Sequence, residues 1–541
     1  MIDYVKTPKI FPKKIFYFVS AFLLIINQSI TYAQKASKAS KKDNTSNQVK
    51  LIRKSPINKT FSAKKLKEDL DVLHQAFKEA HPGFYWYTSK NDFDKKFDSV
   101  RKLIKDPMNE LAFYRLVRPL AVEVNCGHTQ LYTSLKFRNH FRRKSRYFPL
   151  QLKFINNKAY IQQNLSADTT IKTGLEVVNI NGKPVQKIVQ RLFRYTPSDG
   201  YNVTYKYRIL DQDFSSYYPF YINARVDTFR LECRDVQRNI TKNYKIASIS
   251  RKQYRRAMRD ERGSEKPVLD FRIIGKEDEE TAGISKSYND DDVLKKARVG
   301  ILTIRSFQNN TLRKQGFSFS QYMRNIFRVI RKKKIRNLII DLRENSGGTV
   351  RNGILLYSYL TRRRFKYFNY EKVTTNRPYT FIRHVNAYKS RMVNNRLLVK
   401  TDSGYYISPK LHYNLKTHRP SKHYYKRNLY VLINGRSFSA TTQFASLVHA
   451  NKRAVFVGEE TGGGYKGCTA GRTCYVNLPN TNMRLKIPLI KYSNAISQDY
   501  ATKGHGVMPD HALQPTINNL LKGVDTELEY TLDLIRKKVE D

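Results

Sequence analysis

The 541-residue sequence predicts a mixed α/β protein built from a helical unit, a stretch of short strands and a final core of alternating strands and helices. Two observations carry this expectation. Between Ser62 and Val122 apolar residues recur at helical spacing, and near Phe148 the pattern changes to short alternating strands. From Val299 onward apolar runs of strand length are separated by helical patterns, the spacing of parallel β/α connections. The length allows about three domains and a sizeable core. No internal repeat is evident.

Taken in order, residues 1–33 read as an export leader. Lys13 and Lys14 precede the apolar run Ile15 to Ile26, and Thr31-Tyr32-Ala33 offers a cleavage site before Gln34. The run is short for a bilayer span, so export with cleavage is expected, to the periplasm, the outer envelope or the medium. No Cys follows the run, which disfavours a lipid anchor there. Residues 34–56 are rich in Lys, Ser and Asn and read as a flexible linker.

The helical unit is expected over 57–145. Ser62 can cap its first helix, Leu66, Leu70, Leu73 and Phe77 share one face, and Pro82-Gly83 ends it. Amphipathic patterns follow from Phe93 to Ile104 and from Glu110 to Val122, and the unit ends in NCGHTQL. A strand-rich module is expected over 146–225, where Ile171 to Val185 places a Gly turn, a strand and an Asn-Gly hairpin in succession. Residues 226–295 are read as a charged connection: Arg251 to Arg262 is basic, Glu277 to Glu280 and Asp290 to Asp292 are acidic, and surface loops or a hairpin excursion are expected.

The core is expected over 296–541. It opens with a strand in ARVGILTIRSF, a helix from Phe319 to Ile330 and a strand from Ile335 to Leu342. Further on, Leu429 to Ile433 reads as a buried strand, Thr441 to Val448 as a helix and Ala454 to Val457 as the next strand. Ser439 therefore falls at a strand-to-helix junction, where a hydroxyl is presented outward and free helix N–H groups can hold an oxyanion. Gly347-Gly348 follows the apolar run Leu338 to Leu342, at a strand end where amides can approach a ligand without a Cβ in the way.

The formal net charge is +55, with clusters at Arg142-Arg143-Lys144, Arg331 to Lys334 and Arg362 to Arg364. Such charge attracts polyanions. A leader removes the chain from nucleic acid and no nucleic-acid motif accompanies the charge, so basic faces touching anionic envelope components are expected instead. Four cysteines allow three pairings. Cys468 and Cys474, close together in a loop-like segment, are the expected disulfide, with Cys126 and Cys233 paired or free. With no Cys-x-x-Cys and no His-Glu-x-x-His, neither a metal nor a cofactor is expected.

IDLRENSGG, then SFSAT, then VGEETGGG occur in that order. Together they resemble the C-terminal-processing and tricorn-type serine peptidases. The resemblance implies a ClpP/crotonase-like β/α superhelical core, a PDZ-like peptide-binding module in the strand-rich region, and peptide or protein substrates. It makes Ser439, the serine followed by Ala440, the nucleophile, and Ser437 a turn residue. Oxyanion donors would be the Ala440 N–H and an N–H of Gly347 or Gly348.

For the base, the tricorn branch implies His128 in NCGHT. The processing branch implies a Lys at a position that is Gly464 here, with Lys466 two residues beyond. Lys503 stands where the tricorn branch has a Glu, so no third catalytic group is assigned, and Lys503 and His505 remain candidates to approach the site. HPGFYWY, His81 to Tyr87, accompanies bacterial members that carry the helical unit. The rival reading keeps the fold without the chemistry, as a peptide- or envelope-binding protein.

Overall fold

The computed structural model describes residues 58–224, 226–260, 266–275, 291–496 and 503–540. The expected leader (1–33), the linker (34–56) and the acidic run Glu277 to Glu280 lie outside these residues.

The helical unit forms where the periodicity places it: helices span Ala63–Ala80, Lys90–Leu103 and Glu110–Val122. Leu66, Leu70, Leu73 and Phe77 are all buried on the inner face of the first. Ser62 sits at its cap position, but its side chain makes no capping bond. The same helix is tied to the rest of the molecule by buried Asp69, which accepts the Asn480 and Thr481 N–H groups at 2.8 and 2.9 Å.

The strand-rich region is a mostly antiparallel sheet ordered Ile240–Ala247, Thr228–Asp235, Glu176–Ile180, Lys158–Asn164 and Leu150–Ile155. The boundary expected at 225 therefore falls inside this sheet, because Thr228–Asp235 pairs back onto Glu176–Ile180 and Ile240–Ala247 pairs with Thr228–Asp235 in turn. The connection beyond is more regular than expected. Arg251–Asp260 is a helix rather than a loop, and Leu269–Ile273 is an antiparallel edge strand of the core sheet.

That core sheet runs Leu269–Ile273, Val299–Ile304, Asn337–Asp341, Asn428–Ile433, Val455–Gly458, His511–Ala512, and is parallel from its second strand onward. Leu338, Ile339 and Ile340 are fully buried, as a parallel sheet covered on both faces requires. Helix Phe319–Lys332 lays Phe319, Met323, Phe327 and Ile330 on the sheet. Helix Ala440–Ala450 is buried along nearly its whole length, consistent with its apolar composition.

A second core sheet, Leu398–Thr401, Gly404–Ile407, Phe368–Val373, Arg484–Asn494 and Thr469–Asn477, is antiparallel. Strand Gln130–Tyr132 of the helical unit adds to it, with Gln130 opposite Lys486. This pairing brings NCGHT to the C-terminal ends of the parallel strands.

All four cysteines are free and buried, which corrects the expected Cys468–Cys474 disulfide. Their segment is not a loop: strand Thr469–Asn477 begins just after Cys468 and contains Cys474. Extended chain rises about 3.3 Å per residue, so six residues hold the two Cα atoms far beyond the roughly 4.4–6.8 Å that a disulfide spans.

Candidate active site

The candidate nucleophile is positioned by its turn. Ser439 has φ 58° and ψ −123°, a conformation that costs a non-glycine residue about 1–3 kcal/mol. The surroundings enforce it. Ser437 Oγ donates to Leu342 O at 2.8 Å and accepts the Asn434 N–H at 3.1 Å, and the Phe438 N–H donates to Asn345 O at 3.1 Å. Ser437 is thus the turn residue expected of it, fully buried and committed to the backbone.

His128 Nε2 lies 3.0 Å from Ser439 Oγ. The imidazole stacks on Phe438, with ring centroids 4.7 Å apart, and Phe438 stacks in turn on Tyr205 at 4.5 Å. From the other side His81, first residue of HPGFYWY, bonds Thr129 Oγ1 through Nε2 at 2.9 Å, fixing the residue next to His128. Burial, helped by the Lys486 charge and by His81, lowers the His128 pKa to about 3. The ring is therefore neutral across the ordinary pH range and can accept a proton.

Gly347 and Gly348 lie beside Ser439. A Cβ on Gly347, whose φ is +97°, would sit 2.7 Å from Phe438 O, 2.8 Å from Ser439 Cβ and 3.0 Å from Ala440 N. The Gly347 N–H is committed to Asn345 Oδ1 at 2.9 Å, which removes it from the expected donor pair. The Gly348 and Ala440 N–H groups donate to no protein group among the described residues. Gly463 of GEETGGG packs behind the nucleophile, its N–H donating to Thr442 Oγ1 at 3.1 Å.

The other candidate bases are elsewhere. His505 Nδ1 is 3.2 Å from Glu460 Oε1. Lys503 raises the local positive potential around Lys491, whose ammonium lies 3.8 Å from the Trp86 ring centroid. No hydrogen bond joins Lys466, Lys503 or His505 to Ser439.

One residue escaped the sequence reading. Asp199 is buried, and its Oδ1 accepts the N–H of Gly127, the residue before His128, at 2.7 Å. Among the described residues its Oδ2 has no hydrogen-bond partner, and neither has His128 Nδ1. A carboxylate oxygen of Asp199, a ring nitrogen of His128 and the Cys126 sulfur all lie within 4.8 Å of one another. Burial lifts the Asp199 pKa to about 7, against the pull of the Gly127 and Gly464 N–H groups. No local pattern marks SDG as more than a turn; only the fold brings it to His128.

Residues 298–513 match the model of Peptidase family S41. The matched stretch is the part of the chain that carries Gly347, Gly348 and Ser439. The chain also resembles the crystal structure of mature CPAF, at 16% identity over 88% of this chain and 98% of that one, with a TM-score of 0.59. Mature CPAF complexed with lactacystin gives 16% identity, the same coverages and a TM-score of 0.60. The tricorn protease matches 88% of this chain and 37% of its own at 13% identity, with a TM-score of 0.36. No curated protein matches the chain.

Proposed function

We propose that this protein is an exported serine peptidase that hydrolyses peptide bonds through an acyl-enzyme on Ser439, with His128 as general base. The observation that carries the reading is the 3.0 Å contact between His128 Nε2 and Ser439 Oγ, made by a neutral imidazole and a hydroxyl held on a strained turn. Ser439 Oγ attacks the substrate carbonyl carbon while its proton passes to His128 Nε2. The carbonyl oxygen becomes an oxyanion facing the unpaired N–H groups of Ala440 and Gly348. His128 then protonates the leaving amine as the C–N bond breaks, and a water repeats the sequence to release the acyl group.

Asp199 is the positioning residue of this scheme. Its carboxylate faces the free side of the imidazole and offsets the charge that His128 acquires when it takes the proton. Substrate binds in extended form along strand edges. The antiparallel sheet from Leu150 to Ala247 serves as the PDZ-like module and the core is of the crotonase-like superhelical type. The basic surface faces anionic envelope components.

A fluorophosphonate probe with peptide mapping tests the scheme. An adduct is expected on Ser439, and its loss is expected in His128→Ala. An adduct that persists in His128→Ala removes His128 as base, and no adduct on folded protein favours the binding-protein reading. Export is tested separately: mature protein recovered outside the cytoplasm should begin at Gln34.

A further inference from the structure

We infer that Cys126, His128 and Asp199 form a binding site for a thiophilic divalent cation of the zinc class, and that its occupancy switches the peptidase off. The three come from a single loop and from the turn before Tyr205, and offer sulfur, nitrogen and oxygen within 4.8 Å of one another. Tetrahedral zinc takes this donor set, with three protein ligands leaving one position to water. Two of the donors are conspicuous without an ion. His128 Nδ1 and Asp199 Oδ2 are buried and without a partner among the described residues, although buried polar atoms ordinarily find partners.

The third donor is a thiol whose S–H donates to Thr469 O at 3.5 Å, and it also accepts a hydrogen bond that its anion would keep. The Thr469 hydroxyl donates to Cys126 Sγ at 2.9 Å, a bond that a thiolate accepts more strongly than a thiol does. Charge also balances: a dication, a thiolate, a carboxylate and a neutral imidazole sum to zero, so the buried site gains no net charge. Binding replaces the S–H bond of Cys126 with a sulfur–metal bond and releases that proton to solvent.

The effect on catalysis follows from the tautomer and rests on His128 being the base, as proposed above. A cation on Nδ1 occupies that lone pair, so the imidazole proton must reside on Nε2. Nε2 then donates to Ser439 Oγ and cannot take its proton. The ion blocks the enzyme without touching the nucleophile.

Cobalt(II) is the probe, because a Co–thiolate bond gives a near-ultraviolet charge-transfer band whether or not the protein is a peptidase. Metal-free full-length protein titrated with Co(II) should develop that band at one ion per chain. Cys126→Ser should abolish the band, and Asp199→Asn should weaken Co(II) binding by at least about tenfold, whereas Cys468→Ser should leave both unchanged. In the same titration fluorophosphonate labelling of Ser439 should fall in step with the band and return on chelation. Absence of the band in the wild-type protein, or its persistence in Cys126→Ser, overturns the site. If the band forms while labelling is unaffected, the metal site stands and its link to His128 fails.

Discussion

Arg343, in the middle of IDLRENSGG, is where a single substitution should show most about how the site is held. All five of its N–H donors are used. Nε and Nη2 fork onto Asp341 at 3.0 and 2.8 Å, Nη1 and Nη2 fork onto Asp525 at 2.6 and 2.7 Å, and Nη1 also reaches Glu527 at 3.1 Å. Asp525 and Glu527 open the C-terminal helix Thr526–Glu540, so the guanidinium rivets that helix to the strand end that precedes Gly347. Arg343→Ala leaves three carboxylates facing one another. Removing one partner of a buried ion pair costs about 3–5 kcal/mol, and the partial exposure of Asp525 places this case near 3 kcal/mol.

The pH dependence makes the test sharper. In the wild type Arg343 holds the Asp525 pKa below its usual value despite burial, so the pair stabilises above the unfolded carboxylate pKa and is lost as pH falls through the folded one. In Arg343→Ala the carboxylates instead repel, the Asp525 pKa is no longer held down, and acidification towards pH 5 relieves the strain. Urea unfolding at pH 7.5 and pH 5 should therefore show a variant deficit that shrinks on acidification. A deficit that is constant or larger at pH 5 would refute the reasoning. Arg343→Lys should recover only part of the loss, since an ammonium cannot fork onto two carboxylates.

Three further outcomes are expected. Gly347→Ala places a methyl group 2.8 Å from Ser439 Cβ and 3.0 Å from Ala440 N, and by displacing the Ala440 N–H should lower kcat by at least about a hundredfold; near-normal turnover would show that the turn relaxes freely. Because His128 is neutral down to about pH 3, the acid limb of kcat/KM should lie well below 6.5 in a pH-rate profile, and a limb at 6.5 would mean an imidazole in contact with water. The unfolded histidine takes up its proton near 6.5 and the folded one only near 3, so this residue also lowers stability as pH falls between those values. Thiol titration of protein denatured without reductant should count four free cysteines, and a count of two would restore a disulfide.

What the sequence disclosed was local. The helix Glu110–Val122 falls at its expected ends because its apolar period is written in neighbouring residues, and Ser439 could be placed because strand, turn and helix are contiguous. The cysteine pair misled because spacing alone does not say whether six residues are coiled or extended, and here they are a strand. Strands Thr228–Asp235 and Ile240–Ala247 were hidden in a charged stretch whose exposed faces mask the alternation: Phe229, Leu231 and Cys233 point inward while their neighbours do not. Asp199 carried no signal, because its partner Gly127 is reached only through the packing of the helical unit on the strand-rich region.

The contact proposed as catalytic joins residues 311 positions apart, and the histidine is carried to the serine by a strand that pairs with Arg484–Lys486. During synthesis the base is thus made long before the nucleophile, and the pair cannot meet until the chain is complete past residue 486. A ribosome-bound or truncated chain holds both reactive groups without the means to bring them together. Synthesis of the pairing strand, late in the chain, would then act as the safety catch on the proposed chemistry.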